Sequence, residues 1–175
     1  MAGEWQQDAA SSDDFDRKLA PLLENQRRRT RPHQGSAGDH GNSIGATGSG
    51  DIDVLVMPPE ESDKAHARLA EDLRPAAALR IAFTGDAVEI SRDTEAVRRF
   101  LPGQSVSRID SSGAASLVSG WDQRAFVIRA RYTNHAARSW RFELDPASDM
   151  LRVSFEANDR EFGRLALQTS YRRTP

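Results

Sequence analysis

Between residues 125 and 171 apolar and polar side chains alternate with a period of two, and this limits the chain to a sheet architecture. Phe126, Ile128, Ala130 and Tyr132 fall on one face, with Val127, Arg129 and Arg131 on the other. Trp140, Phe142 and Leu144 oppose Arg141 and Glu143. Leu151, Val153 and Phe155 oppose Arg152 and Ser154, and Leu165, Leu167 and Tyr171 oppose Gln168 and Ser170. Successive Cβ atoms of a strand point to opposite sides, so each segment has one apolar face and one wet face.

The same logic extends upstream. Segments 79–83, 87–91, 97–101, 105–109, 114–119, 125–132, 138–144, 150–155 and 164–171 read as strands. Between them lie turn formers such as Thr84-Gly85-Asp86, Pro102-Gly103-Gln104, Thr133-Asn134-His135 and Asp145-Pro146-Ala147. Connections this short join neighbours antiparallel. The fold class is therefore mostly β: a curved antiparallel meander or partly closed barrel of about 8–9 short strands, preceded by a short helix and a disordered N-terminal arm.

Ten of the twelve aromatics lie in residues 79–175, which places the expected core there. No apolar run approaches the roughly 18 residues of a membrane span, so no transmembrane segment is expected. The absence of cysteine excludes disulfides and thiol chemistry. A formal net charge of −2 excludes a strongly basic nucleic-acid binder.

The N-terminal half divides further. Residues 1–31 form an arm with an amphipathic helix: Ser11 or Ser12 caps it, and Phe15, Leu19, Leu22 and Leu23 make its apolar face. Pro21 predicts a kink or two short pieces. Residues 32–50 hold six of the twelve glycines and read as a disordered linker. Residues 51–78 comprise a short docking run, DIDVLVM, and a helix over about 60–74 with Ala65, Leu69 and Leu73 on one face. Residues 79–175 form the antiparallel β domain.

Two groups of side chains are candidates for binding. Arg129, Arg131, Arg141 and Arg152 share the outer face of three successive strands, where they form a basic patch for a protein or an anionic envelope component. Trp121, Phe126, Tyr132, Trp140 and Phe142 either fill the interior or line an apolar pocket, as small barrels allow. His33, His40, His66 and His135 show no metal-ligand spacing, and the run Arg27-Arg28-Arg29-Thr30-Arg31 suits the negative end of a helix. No cofactor, metal site or catalytic cluster is expected from these residues.

Residues 41–56, GNSIGATGSGDIDVLV, resemble the nucleotidyltransferase motif of the polymerase-β superfamily. Such a resemblance implies Asp51 and Asp53 on one strand face holding two magnesium ions, with a third carboxylate such as Glu89. The pair before the motif is Gly41-Asn42 where that superfamily has Gly-Ser.

A second resemblance is broader. Met57-Pro58-Pro59-Glu60, the helix ending Leu69-Ala70-Glu71-Asp72-Leu73-Arg74-Pro75, Gly120-Trp121-Asp122, and Tyr132 and Phe142 followed by Leu144-Asp145-Pro146 are similar to uncharacterised small exported proteins of proteobacteria. It implies a periplasmic location and no known activity, although Met1-Ala2-Gly3-Glu4-Trp5 lacks a basic and then apolar leader pattern. The expected function is thus a non-enzymatic binding protein of the bacterial cell envelope. The alternatives are a magnesium-dependent transferase using Asp51 and Asp53, and an apolar-ligand-binding β-barrel.

Overall fold

The computed structural model describes residues 1–30, 64, 67, 68, 70–110, 112–159 and 163–174, the side chains of 27–30 excepted. Ten strands follow in order: β1 (Gly3–Gln7), β2 (Ala78–Thr84), β3 (Ala87–Arg92), β4 (Arg98–Phe100), β5 (Ser105–Asp110), β6 (Gly113–Asp122), β7 (Ala125–Tyr132), β8 (Ala137–Asp145), β9 (Met150–Asp159) and β10 (Gly163–Arg173). A short 3-10 turn (Ala9–Ser11), a helix, α1 (Phe15–Thr30), and a second helical stretch that includes residues 70–73 lie between β1 and β2. The strands form one sheet in the order β4-β3-β2-β1-β10-β9-β8-β7-β6-β5, antiparallel throughout.

The sheet rolls up, and among the described residues β4 and β5 are its unpaired edges. Phe100 on β4 reaches Phe126 on β7 across the interior, ring centroids 6.3 Å apart in an edge-on contact. The Gly103 amide, in the turn between the two edges, donates to the Ser119 carbonyl at 2.8 Å. Gly103 takes φ +83°, a value that favours glycine in this turn. The barrel is therefore open along one seam.

All nine predicted strands are present, and the alternating faces are oriented as read: Phe126, Ile128, Ala130 and Tyr132 are buried, while Arg129 and Arg131 are exposed. The tenth strand was not expected. The stretch read as the start of an N-terminal arm is β1, which pairs with both β2 and β10, so the sheet does not begin at residue 79. Trp5, at its centre, is 1% exposed. Its sequence, GEWQQ, carries one large apolar residue and so shows no alternation to read.

Strand directions define two ends. The helices and the turns 93–97 and 133–136 lie at one, the helical end; the turns 85–86, 101–104, 123–124 and 146–149 lie at the other. Beyond β1 the chain keeps to β10: Asp8 and Asp13 amides donate to the Ser170 and Gln168 carbonyls, both at 2.8 Å. Ser12 takes part in this run, accepting from the Ser170 amide at 3.0 Å, so it does not cap α1. The cap is Asp14, whose Oδ1 accepts from the Arg17 amide at 3.0 Å. One continuous helix runs through Pro21, which is exposed on the side away from the sheet. Phe15 and Leu19 pack on Phe155, Ala157, Leu165 and Leu167, joined by Leu73 from the second helical stretch. Among the described residues no helix is long and apolar enough to cross a membrane.

Asp13 ties α1 to the sheet. Its Oδ2 accepts from Lys18 Nζ at 2.7 Å and from the Gln168 amide at 2.6 Å. The Lys18 hydrogen bond chiefly, and then the Gln168 amide, hold its carboxyl below the usual carboxylate value. A carboxyl lowered by folding stabilises the native state above its unfolded pKa of about 4, and that contribution is lost as pH falls through the folded value. Asp13→Asn is therefore expected to reduce stability at pH 7 and to flatten the loss as pH falls below about 4. Urea titrations at those pH values would check this, and an unchanged slope would show that Asp13 does not contribute.

Candidate functional site

The roll encloses a cavity of about 250 Å³ that opens toward the helical end. Its deeper wall is apolar: Ile90 from β3, Phe100 from β4, Leu117 from β6, Ile128 from β7, and Trp140 and Phe142 from β8. Nearer the mouth stand Arg92, Arg98, Arg108, Asp110, Tyr132 and Arg138, beside Pro75 at the end of the second helical stretch. Each inner position follows from alternation along its strand. The segment over the mouth is pinned in place: Tyr171, buried on β10, donates its hydroxyl to the Ala76 carbonyl at 2.9 Å. Arg74 spans to α1 through Asp16 at 3.0 Å and lies 4.8 Å from the centre of the Phe15 ring.

The charged rim is ordered. The Tyr132 hydroxyl donates to Asp110 Oδ2 at 2.8 Å, and the Ser112 amide donates to Asp110 Oδ1 at 2.9 Å. Burial chiefly pushes the Tyr132 phenol up to about 12, so it remains a protonated donor across the physiological range. Arg138 stacks on the Tyr132 ring, 4.9 Å from its centre, and donates to Ser112 Oγ. Ala115, Ala130 and Ala136 pack around Tyr132, and their small side chains make room there. Arg98 pairs with Glu95 at 2.5 Å. Burial and then the neighbouring Arg108 guanidinium lower Arg98 from the ordinary arginine value.

Of the five aromatics proposed for the interior, Tyr132, Trp140 and Phe142 line the cavity, and Phe126 lies fully buried beneath it. Trp121 is a correction. It is 50% exposed, because β6 carries it to the turn end of the roll, where it meets Phe126 edge-on at 5.3 Å and lies tilted beside Phe83 at 6.0 Å. It plugs the base of the barrel.

The four outer arginines do share one surface, but two of them are neutralised. Arg141 bonds Asp122 at 2.5 Å and Glu143 at 3.4 Å, and Arg152 bonds Asp145 at 2.7 Å. Arg129 and Arg131 have no ion pair among the described residues. Acidic side chains thus interrupt the patch.

Asp51, Asp53, His33, His40, His66 and Arg31 lie outside the described residues, as do the predicted linker 32–50 and docking run. Glu89 sits on β3 between Ala82 and Arg99. His135 is exposed in the β7–β8 turn, and Arg27–Arg29 fall in the last turns of α1. Among the described residues no three His, Asp or Glu side chains gather as a metal site.

Arg98, Arg108 and Arg138 were not singled out from the sequence, yet the signal was there. Arg138 shares parity with Trp140 and Phe142 on β8, Arg98 with Phe100 on β4, and Arg108 with Asp110 on β5. An arginine in phase with aromatics projects inward.

No protein-family model matches the sequence, and no curated protein matches it. Solved structures do share its architecture. A REP1-NXSQ fatty acid transporter superimposes with a TM-score of 0.52 at 14% identity, over 99% of this chain and 96% of that one. Secretory abundant heat soluble protein 4 from Ramazzottius varieornatus gives 0.55 at 10% identity, over 99% and 94%. Zebrafish ileal bile acid-binding protein complexed with cholic acid gives 0.51 at 11% identity, over 99% and 98%. At these identities the likeness is one of fold: the chain shares the rolled β-sheet architecture of these proteins.

Proposed function

We propose that this protein binds a small, mainly apolar molecule inside the barrel, a binding role rather than a catalytic one. The cavity carries this reading: about 250 Å³ walled by Ile90, Phe100, Leu117, Ile128, Trp140 and Phe142 and open at one end. Two of the structures with the same fold are described as a fatty acid transporter and a bile acid-binding protein, which supports the reading. The division of the outer arginines by Asp122, Glu143 and Asp145 speaks against the surface patch as the main site.

The neutral dye N-phenyl-1-naphthylamine tests this. Its fluorescence is expected to rise on mixing with the protein and to fall again as 1-octanol competes. Leu117→Trp, which fills the cavity from β6, should abolish the rise while the far-ultraviolet circular dichroism stays native. Undiminished dye binding by folded Leu117→Trp would show that the dye sits elsewhere and would overturn the reading.

A further inference from the structure

We propose that the turn end of the barrel is a self-association surface, where two copies of this chain meet base to base about a twofold axis. The cavity opens at the opposite, helical end, so both mouths stay free in such a dimer. Among the described residues the two exposed aromatic rings lie side by side at this base. Phe83, near the end of β2, is 46% exposed and Trp121, near the end of β6, is 50% exposed, with centroids 6.0 Å apart. Leu101 and Pro102, both half-buried, border them: the Ser119 hydroxyl, two residues before Trp121, donates to the Leu101 carbonyl at 3.3 Å. Adjacent large aromatics left half in water mark a surface that a protein partner covers.

Charge says which partner. Asp86 and Arg124 stand exposed at the tips of the β2–β3 and β6–β7 hairpins, each three residues beyond its ring. Neither makes an ion pair among the described residues. Around them the charges are already matched: Asp122 and Glu143 bond Arg141, Asp145 bonds Arg152, and Asp149 bonds Arg173 beside the Met1 ammonium. The base thus offers one unpaired acid and one unpaired base on either side of an apolar centre. That pattern is complementary to itself, as a twofold interface requires. An axis through the Phe83–Trp121 contact sets each β2–β3 hairpin against the β6–β7 hairpin of the other copy. Phe83 then meets the second Trp121, Asp86 meets the second Arg124, and the axis repeats both contacts. A nucleic acid or an anionic lipid surface would meet Asp86 together with Arg124 and gain nothing from the pair.

Sedimentation equilibrium of the whole chain at low salt tests this. A patch built around two rings predicts a weak, reversible dimer, half-formed on the order of 100 μM. Asp86→Arg and Arg124→Asp should each be monomeric at that concentration, because each sets like charges against one another. Mixed one to one, these two variants should form a heterodimer, since every facing pair is then of opposite sign. The double variant Asp86→Arg/Arg124→Asp should recover the wild-type association. Both positions are exposed turn residues, so far-ultraviolet circular dichroism should stay native in all three variants. Association that survives either single reversal, or a mixture and a double variant that both stay monomeric, would overturn the hairpin-to-hairpin pairing. A wild-type chain that is still monomeric at about 500 μM, well above the expected midpoint, would overturn self-association altogether. If tryptophan emission of that monomer then shifts to the blue on phosphatidylcholine vesicles, the base meets a membrane interface and not a second copy.

Discussion

Replacing Trp5 with alanine is expected to lower the unfolding free energy by about 3–5 kcal/mol, the range for truncating a fully buried large aromatic. Trp5 is 1% exposed and packs in the same core as Leu79, Ile81, Phe126, Leu151 and Tyr171. Its indole Nε1–H donates to the Met1 carbonyl at 3.1 Å, and the Arg173 guanidinium lies 4.6 Å from its ring centre. The position matters as much as the volume. β1 joins the β2–β4 block to β10 and the strands beyond it, and among the described residues no other strand spans that join. A cavity there loosens the sheet where it can least be spared. Urea unfolding followed by far-ultraviolet circular dichroism would read the change as a drop in midpoint at constant slope. The control is Val97→Ala, on an exposed turn residue, for which about 0.5 kcal/mol or less is expected. A change below about 1 kcal/mol for Trp5→Ala would show that β1 is an ornament on a sheet that closes without it.

The strand most important to continuity was also the one least legible. Strands β7 to β10 announce themselves because each carries three or four apolar side chains in phase, which is what burial of one face requires. β1 is buried by its neighbours rather than by its own composition: Glu4 and Gln6 face away from the core and only Trp5 enters it. A five-residue strand with one anchor cannot be told from a loop by period. The same holds for the cap of α1, since Ser11, Ser12 and Asp14 are chemically equivalent as caps until β10 is known to occupy Ser12.

The site was half legible for a different reason. Alternation correctly sorted Tyr132, Trp140 and Phe142 inward and Arg129, Arg131, Arg141 and Arg152 outward. Attention to arginine as a surface residue hid Arg138, which the same alternation sends inward. What no local pattern could supply is the seam. That β4 and β5 face one another across the mouth, and so bring Arg98 near Arg108, follows from the closure of the whole sheet. Trp121 shows the converse: its parity is inward, but the barrel ends before its ring is covered.

Leu19→Asp is expected to lift α1 off the barrel while leaving the strands folded. Leu19 is 3% exposed and sits on Leu165, Leu167, Phe155 and Ala157. Keeping the helix docked would bury a carboxylate with no cation in that cluster, at a cost of several kcal/mol beyond the lost leucine contacts. The chain has a cheaper course. α1 is attached chiefly through Phe15, Leu19 and the half-buried Leu22 and Leu23, so undocking forfeits only that surface, at roughly 1.5–3 kcal/mol for each side chain fully buried. Two full and two half burials come to about 4.5–9 kcal/mol on that scale, offset in part by the conformational entropy the freed helix regains, and the loss falls on a local opening rather than on global unfolding. Hydrogen exchange resolved by mass spectrometry separates the two. Amides of 15–26 should lose their protection, and those of β9 and of β10 from residue 171 onward should keep theirs. Arg74, tied to Asp16 and Phe15 of α1, would be released as well, and the mouth of the cavity would widen. Ligand exchange through that mouth should then accelerate more than affinity falls, because the apolar wall on β3, β6, β7 and β8 is untouched. Simultaneous loss of protection in helix and strands would show that α1 belongs to the cooperative core and is not a separable roof.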